Sequence, residues 1–149
     1  SPLQPPPEDS AALHRFPSYV LSPEESLYRI HRARHGPWFF SSDGTGRFDL
    51  SPPDGTCYLA SSPICAFVEV FKDTKPVAGV DVEARRVATL RVTSETHLAD
   101  CTQRAARAFG ITATIHASAD YTSTLPWAES FHRAGFGGVR YFLSHDPAQ

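Results

Sequence analysis

Residues 41–55, SSDGTGRFDLSPPDG, are so rich in Gly, Pro, Asp and Ser that neither a helix nor a strand can run through them. Any fold must therefore carry a long irregular loop in its first half, with Arg47 and Phe48 enclosed in it. Long loops inside compact domains tend to bind things. Length tightens the constraint, because 149 residues make one domain with its own core and are too few for two ordinary ones. The stretch SPLQPPPEDS at 1–10 has four prolines and no apolar period. Residues 1–15 are therefore expected to be a flexible leader and residues 16–149 a single domain.

Around the loop, local patterns place the elements. In SLYRIHRA, Tyr28 and Ile30 alternate with Leu27 and Arg29, which predicts a strand with Arg29 on the face opposite Ile30. Thr56–Ala60 reads as a short strand bearing Tyr58. Ser61, Ser62 and Pro63 then open a helix whose apolar positions Ile64, Phe67, Val68 and Phe71 follow i, i+3, i+4, i+7. That spacing predicts a buried stripe with Glu69 at its border. Arg86–Val92 alternates as a strand, Thr102–Phe109 is expected to be a helix capped by Asp100 and ended by Gly110, and Leu125–Ala134 a helix with Pro126 in its first turn and Gly135 as its stop. Val139–Leu143 reads as an apolar strand leading to the turn Ser144–Pro147.

Composition removes several function classes. With 41% hydrophobic and 20% charged residues the chain should fold as a soluble globule. No apolar run approaches the roughly 18 to 20 residues a membrane span needs, and the N-terminus lacks a signal-peptide layout. A net charge of -2 supplies no field to hold nucleic acid or anionic lipid, which also disfavours an RNA-cleaving activity. Cys57, Cys65 and Cys101 are an odd number with no CxxC spacing, so they are expected to be reduced, as in a cytoplasm. Seven histidines show no HExxH or other ligand spacing, and no metal site is expected. Ser144, His145 and Asp146 are adjacent, which rarely lets a triad converge, and GTG at 44–46 is no dinucleotide fingerprint.

What is left is a scattered set, Arg29, Arg47, Tyr58, Glu69 and Ser144, each at the end or flank of an element. Singly they read as surface cations, a strand aromatic, a helix-flank charge and a turn residue. Composition and periodicity alone leave the function open.

Together, however, YRIHRARHG, GTGRF, CYLASSPICAFVEVF and GFGGVRYFLSHDP resemble, in order and spacing, the RES domain, over about Leu27–Pro147. The resemblance implies an α+β fold like that of ADP-ribosyltransferases, a split mixed sheet with flanking helices and an NAD cleft between its halves. Carried over by position, it implies Arg29 and Arg47 as the family's arginines, Tyr58 as its tyrosine, Glu69 as its glutamate and Ser144 as its serine. Tyr28 adjoins the first arginine and is expected to line the pocket. On this reading Glu69, Arg47 and Ser144 are catalytic, and Arg29, Tyr28, Tyr58, Arg47 and Ser144 bind NAD.

The residue types suit that chemistry. Two guanidinium forks match a pyrophosphate. Nicotinamide departs neutral and needs no acid, so the demand is to stabilise an oxocarbenium-like ribose, which a carboxylate can do. NAD is then a substrate rather than a cofactor, with inorganic phosphate as a candidate co-substrate. Water, phosphate and a protein side chain all stay open as acceptors, and degradation of free NAD by phosphorolysis or hydrolysis is favoured over protein ADP-ribosylation or an inactive NAD-binding role. The resemblance further implies a bacterial toxin neutralised by an antitoxin with a helix-turn-helix domain. Two departures stand out: His145 occupies a position where relatives carry Arg, and relatives continue into another apolar strand, so a short C-terminus is expected.

Overall fold

The computed structural model describes residues 2–71 and 85–143, so Ser144 and His145 lie outside the described residues. Its strands are β1 (Ser18–Leu21), β2 (Leu27–Arg32), β3 (Arg85–Leu90), β4 (Thr96–Asp100) and β5 (Gly138–Arg140), and its α-helices are α1 (Pro63–Phe71), α2 (Thr114–Ala117) and α3 (Leu125–Arg133). Among the described residues β1, β4 and β5 form one mixed sheet and β2 and β3 a second. β1 runs antiparallel to β4, with Ser18 opposite Ala99, and β5 runs parallel to β4, with Val139 opposite Ala99. β2 and β3 are antiparallel, with Leu27 opposite Leu90. This is an α+β fold with a divided sheet and helices beside it, the class expected from the sequence.

The helices form where their end signals stand. The Ser62 hydroxyl accepts the Cys65 N–H at 3.2 Å, taking one of the donors that α1 leaves unpaired at its start. α3 has Pro126 in its first turn and stops before Gly135, whose φ of 99° lies in the left-handed region that only glycine enters freely. The second sheet gains an extra bridge where Tyr28 and Ala60 exchange N–H···O bonds, both 2.8 Å.

Several expectations are corrected. Thr56–Ala60 makes two isolated bridges rather than a strand, the expected 102–109 helix is a 3-10 segment over Arg104–Phe109, and β5 ends at Arg140. The face of α1 also differs from its apolar stripe. Ile64 is 64% and Phe67 38% exposed, while Cys65 and Ala66 are buried. α1 packs on β2, and small side chains let a helix approach a strand closely where Ile and Phe would hold it off.

The core joins α3 to the first sheet. Phe16 lies 4.8 Å from Phe131 between ring centroids, and Trp127 is fully buried with its indole N–H donating to the Gln4 carbonyl at 2.8 Å. Leu3 and Leu13, in the stretch read as a leader, are buried in that same core. Packed chain therefore begins well before Phe16. Cys65 and Cys101 are buried free thiols, and burial pushes the Cys101 thiol up, which makes it unreactive. Among the described residues no helix is long and apolar enough to cross a membrane.

Candidate functional site

The glycine-rich loop is organised by a residue that the sequence reading did not single out. Asp49 is 4% exposed, and its carboxylate accepts four hydrogen bonds. Tyr58 Oη–H donates to Oδ1 at 2.8 Å, while Ser41 Oγ–H at 2.6 Å and the Gly44 and Gly46 amides, both at 3.1 Å, donate to Oδ2. Tyr58 Oη in turn accepts the Phe48 N–H at 2.7 Å. The turn must close tightly around this carboxylate. A Cβ on Gly46 would collide with Asp49 Oδ1 and come within 2.6 Å of Tyr58 Oη, so glycine is required there for space.

Next in sequence, Arg47 is turned inward and is 8% exposed. Nη1 donates to the Ile115 carbonyl at 3.3 Å, and the guanidinium carbon lies 4.9 Å from the centroid of the Tyr121 ring. Such stacking holds a guanidinium in one plane while leaving its edge free to donate. The Arg47 carbonyl accepts the Thr124 hydroxyl at 2.6 Å. Thr124, fully buried at the start of α3, thus ties the loop to the core. Thr124→Val keeps the shape and leaves that carbonyl unpaired, so it is expected to lower unfolding free energy by about 1–3 kcal/mol, read from urea denaturation.

These elements enclose a cleft of about 240 Å³ lined by Thr45, Gly46 and Arg47 of the loop, Tyr58, Glu69 of α1, His116 of α2, Tyr121, and Tyr141 and Leu143 beyond β5. Arg47, Tyr58 and Glu69 are brought to one space. Tyr141 packs edge-on against Phe48 at 4.8 Å, and burial, then the negative charge of Glu69, push its phenol up. Burial and the Asp49 carboxylate likewise push up Tyr58. Both phenols therefore stay protonated at neutral pH. Among the described residues no three His, Cys, Asp or Glu side chains cluster to hold a metal ion.

Arg29 and Tyr28 do not line that cleft, but Arg29 borders it. Its Nη1 donates to the Tyr58 carbonyl at 3.2 Å and its guanidinium lies 5.8 Å from the Phe39 ring centroid. Its Nε is buried with no hydrogen-bond partner. The expected role of Ser144 falls outside the described residues, although Leu143, the residue before it, lines the cleft. Sequence reading missed Asp49, His116, Tyr121 and Tyr141. GTGRFD carried the only local signal, an acidic residue just after two glycines of a tight turn.

A divided sheet with a cleft that joins a buried arginine to a helix-borne glutamate defines a small α+β protein with one polar cleft described around Arg47. The chain belongs to the RES domain family, whose profile matches residues 26–149. That family is associated with NAD-acting enzymes of toxin–antitoxin pairs. No curated protein and no solved structure matches the chain.

Proposed function

We propose that this protein degrades NAD by cleaving the bond between nicotinamide and ribose, with inorganic phosphate or water as the acceptor, and that it acts as a bacterial toxin held in check by an antitoxin. Family membership supports the substrate and the kind of partner. The observation that carries the chemistry is the cleft itself, which brings Arg47 of the loop and Glu69 of α1 to one space.

Arg47 spends one N–H on Ile115 and is clamped by Tyr121, so the other donors of its planar fork suit a pyrophosphate oxygen. Arg29, with an unpartnered Nε, would supply a second cation at the border. As the C–N bond breaks, the electron pair leaves with nicotinamide, which becomes neutral, and positive charge develops on the ribose. Glu69 stabilises that charge where it forms. The acceptor then attacks the ribose carbon, and the product is ADP-ribose with water or its 1-phosphate with phosphate. Tyr58 contributes its ring to the wall, because its hydroxyl is bonded to Asp49 and Phe48.

The test is incubation of the purified chain with NAD, with and without phosphate, while nicotinamide and the ADP-ribose product are separated by chromatography. Nicotinamide release is the expected result, and dependence on phosphate distinguishes phosphorolysis from hydrolysis. Binding of NAD without release in either buffer would overturn the proposal.

A further inference from the structure

β5 ends at Arg140, and the chain continues into the cleft wall. Tyr141 and Leu143 line the cleft, and between them the Phe142 N–H donates to His116 Nδ1 at 3.1 Å. The imidazole and the Phe142 ring also pack, 5.2 Å between centroids. A side chain from α2 thus holds a backbone amide of the cleft wall. A ring nitrogen that accepts a hydrogen bond carries no proton, so this contact exists only with neutral imidazole.

We propose that His116 is a positioning residue for the reaction, resting on the NAD reading of the cleft: as neutral imidazole it anchors the Phe142 amide and thereby sets Tyr141 and Leu143 in the cleft wall. Protonation removes the acceptor and adds a cation beside Arg47. The groups around it favour the neutral form. Burial, then the Arg47 charge, holds His116 below its ordinary value of 6.5, against opposing pulls from the Cys101 backbone and the Asp100 carboxylate at the end of β4. Glu69, Tyr58, Tyr121 and Tyr141 share the cleft, and of these only the Glu69 carboxylate favours the cation. Between the lowered value and 6.5 the unfolded chain binds a proton that the folded chain refuses. Stability is full above that window and falls as pH drops through it.

The wild-type chain, His116→Leu and His116→Asn are compared for kcat/KM on NAD over roughly pH 5 to 8, and the Phe142 amide and His116 imidazole are followed by NMR across the same range. Leu, with no acceptor, is expected to lose up to about 10²-fold at neutral pH, the scale of a misplaced reacting group. Asn sets Oδ1 where Nδ1 stood, so it should recover much of that loss and not show the acid limb, the fall in activity below 6.5, that the wild type shows. In the wild type the Phe142 amide should shift with the same midpoint as His116. Equal losses in Leu and Asn, or an acid limb that persists in Asn, would overturn the proposal. If the wild type cleaves no NAD at any pH, the NAD reading fails by itself. The titration still decides the anchor, which is refuted if the Phe142 amide does not follow His116.

Discussion

Glu69→Gln is expected to slow nicotinamide release by about 10²- to 10³-fold, the scale seen when one preorganised electrostatic contact to a developing charge is removed. The amide has the same shape and can still accept a hydrogen bond from a ribose hydroxyl, so ground-state binding should change far less than turnover. A fall in kcat with KM nearly constant is the signature of an interaction made mainly in the transition state. The comparison needs stopped reactions across a range of NAD concentrations, with NAD affinity measured separately by calorimetry. Full turnover in Glu69→Gln would take Glu69 out of the mechanism. A loss confined to KM would make it a binding residue instead.

How far the sequence carried this picture depended on whether the cause was local. Ser62 at the start of α1, and Pro126 and Gly135 around α3, act within a turn of where they stand, and both helices lie where those signals put them. β2 followed from the alternation of Leu27 to Arg32. β4 escaped notice because its five residues gain their identity from β1 on one side and β5 on the other, the latter a parallel pairing across some forty residues of chain. The stripe on α1 misled for a related reason. Periodicity shows that a helix has an apolar side, whereas contact with β2 decided which side is covered, and it chose Cys65 and Ala66 over Ile64 and Phe67.

The cleft divides in the same way. Glu69, Arg47 and Tyr58 could be named from motif order and do share one space. His116 and Tyr121 sit in stretches with no motif, and they reach the cleft because Ile115 and Thr124 fasten Arg47 to that part of the chain. Arg29 shows a third case, since its strand and face were legible but its position at the border of the cleft, bonded to the Tyr58 carbonyl, was not.

Asp49→Ala is expected to be the most damaging single change to the fold of the site. It strips the acceptor from the Ser41 and Tyr58 hydroxyls and from the Gly44 and Gly46 amides together. Each buried donor left without a partner costs about 1–3 kcal/mol, and water can re-solvate those nearest the surface, so the net loss should be on the order of 3 kcal/mol or more. For a chain of this size that corresponds to a fall in Tm of roughly 6–12 °C. Tyr58→Phe is the natural control, because it deletes one donor to Asp49 and one acceptor for the Phe48 amide while the rest of the turn stays paired. It should cost about 1–3 kcal/mol. Turnover of NAD, assayed well below both melting transitions, should fall much further in Asp49→Ala than in Tyr58→Phe. Arg47 is held in place by a turn gathered on the Asp49 carboxylate, and Tyr58→Phe leaves the Ser41, Gly44 and Gly46 bonds to it intact. An Asp49→Ala protein as stable as Tyr58→Phe would mean that the loop is held by Thr124 and Ile115 alone. A Tyr58→Phe protein that is stable and inactive would mean that the hydroxyl leaves Asp49 to meet the substrate.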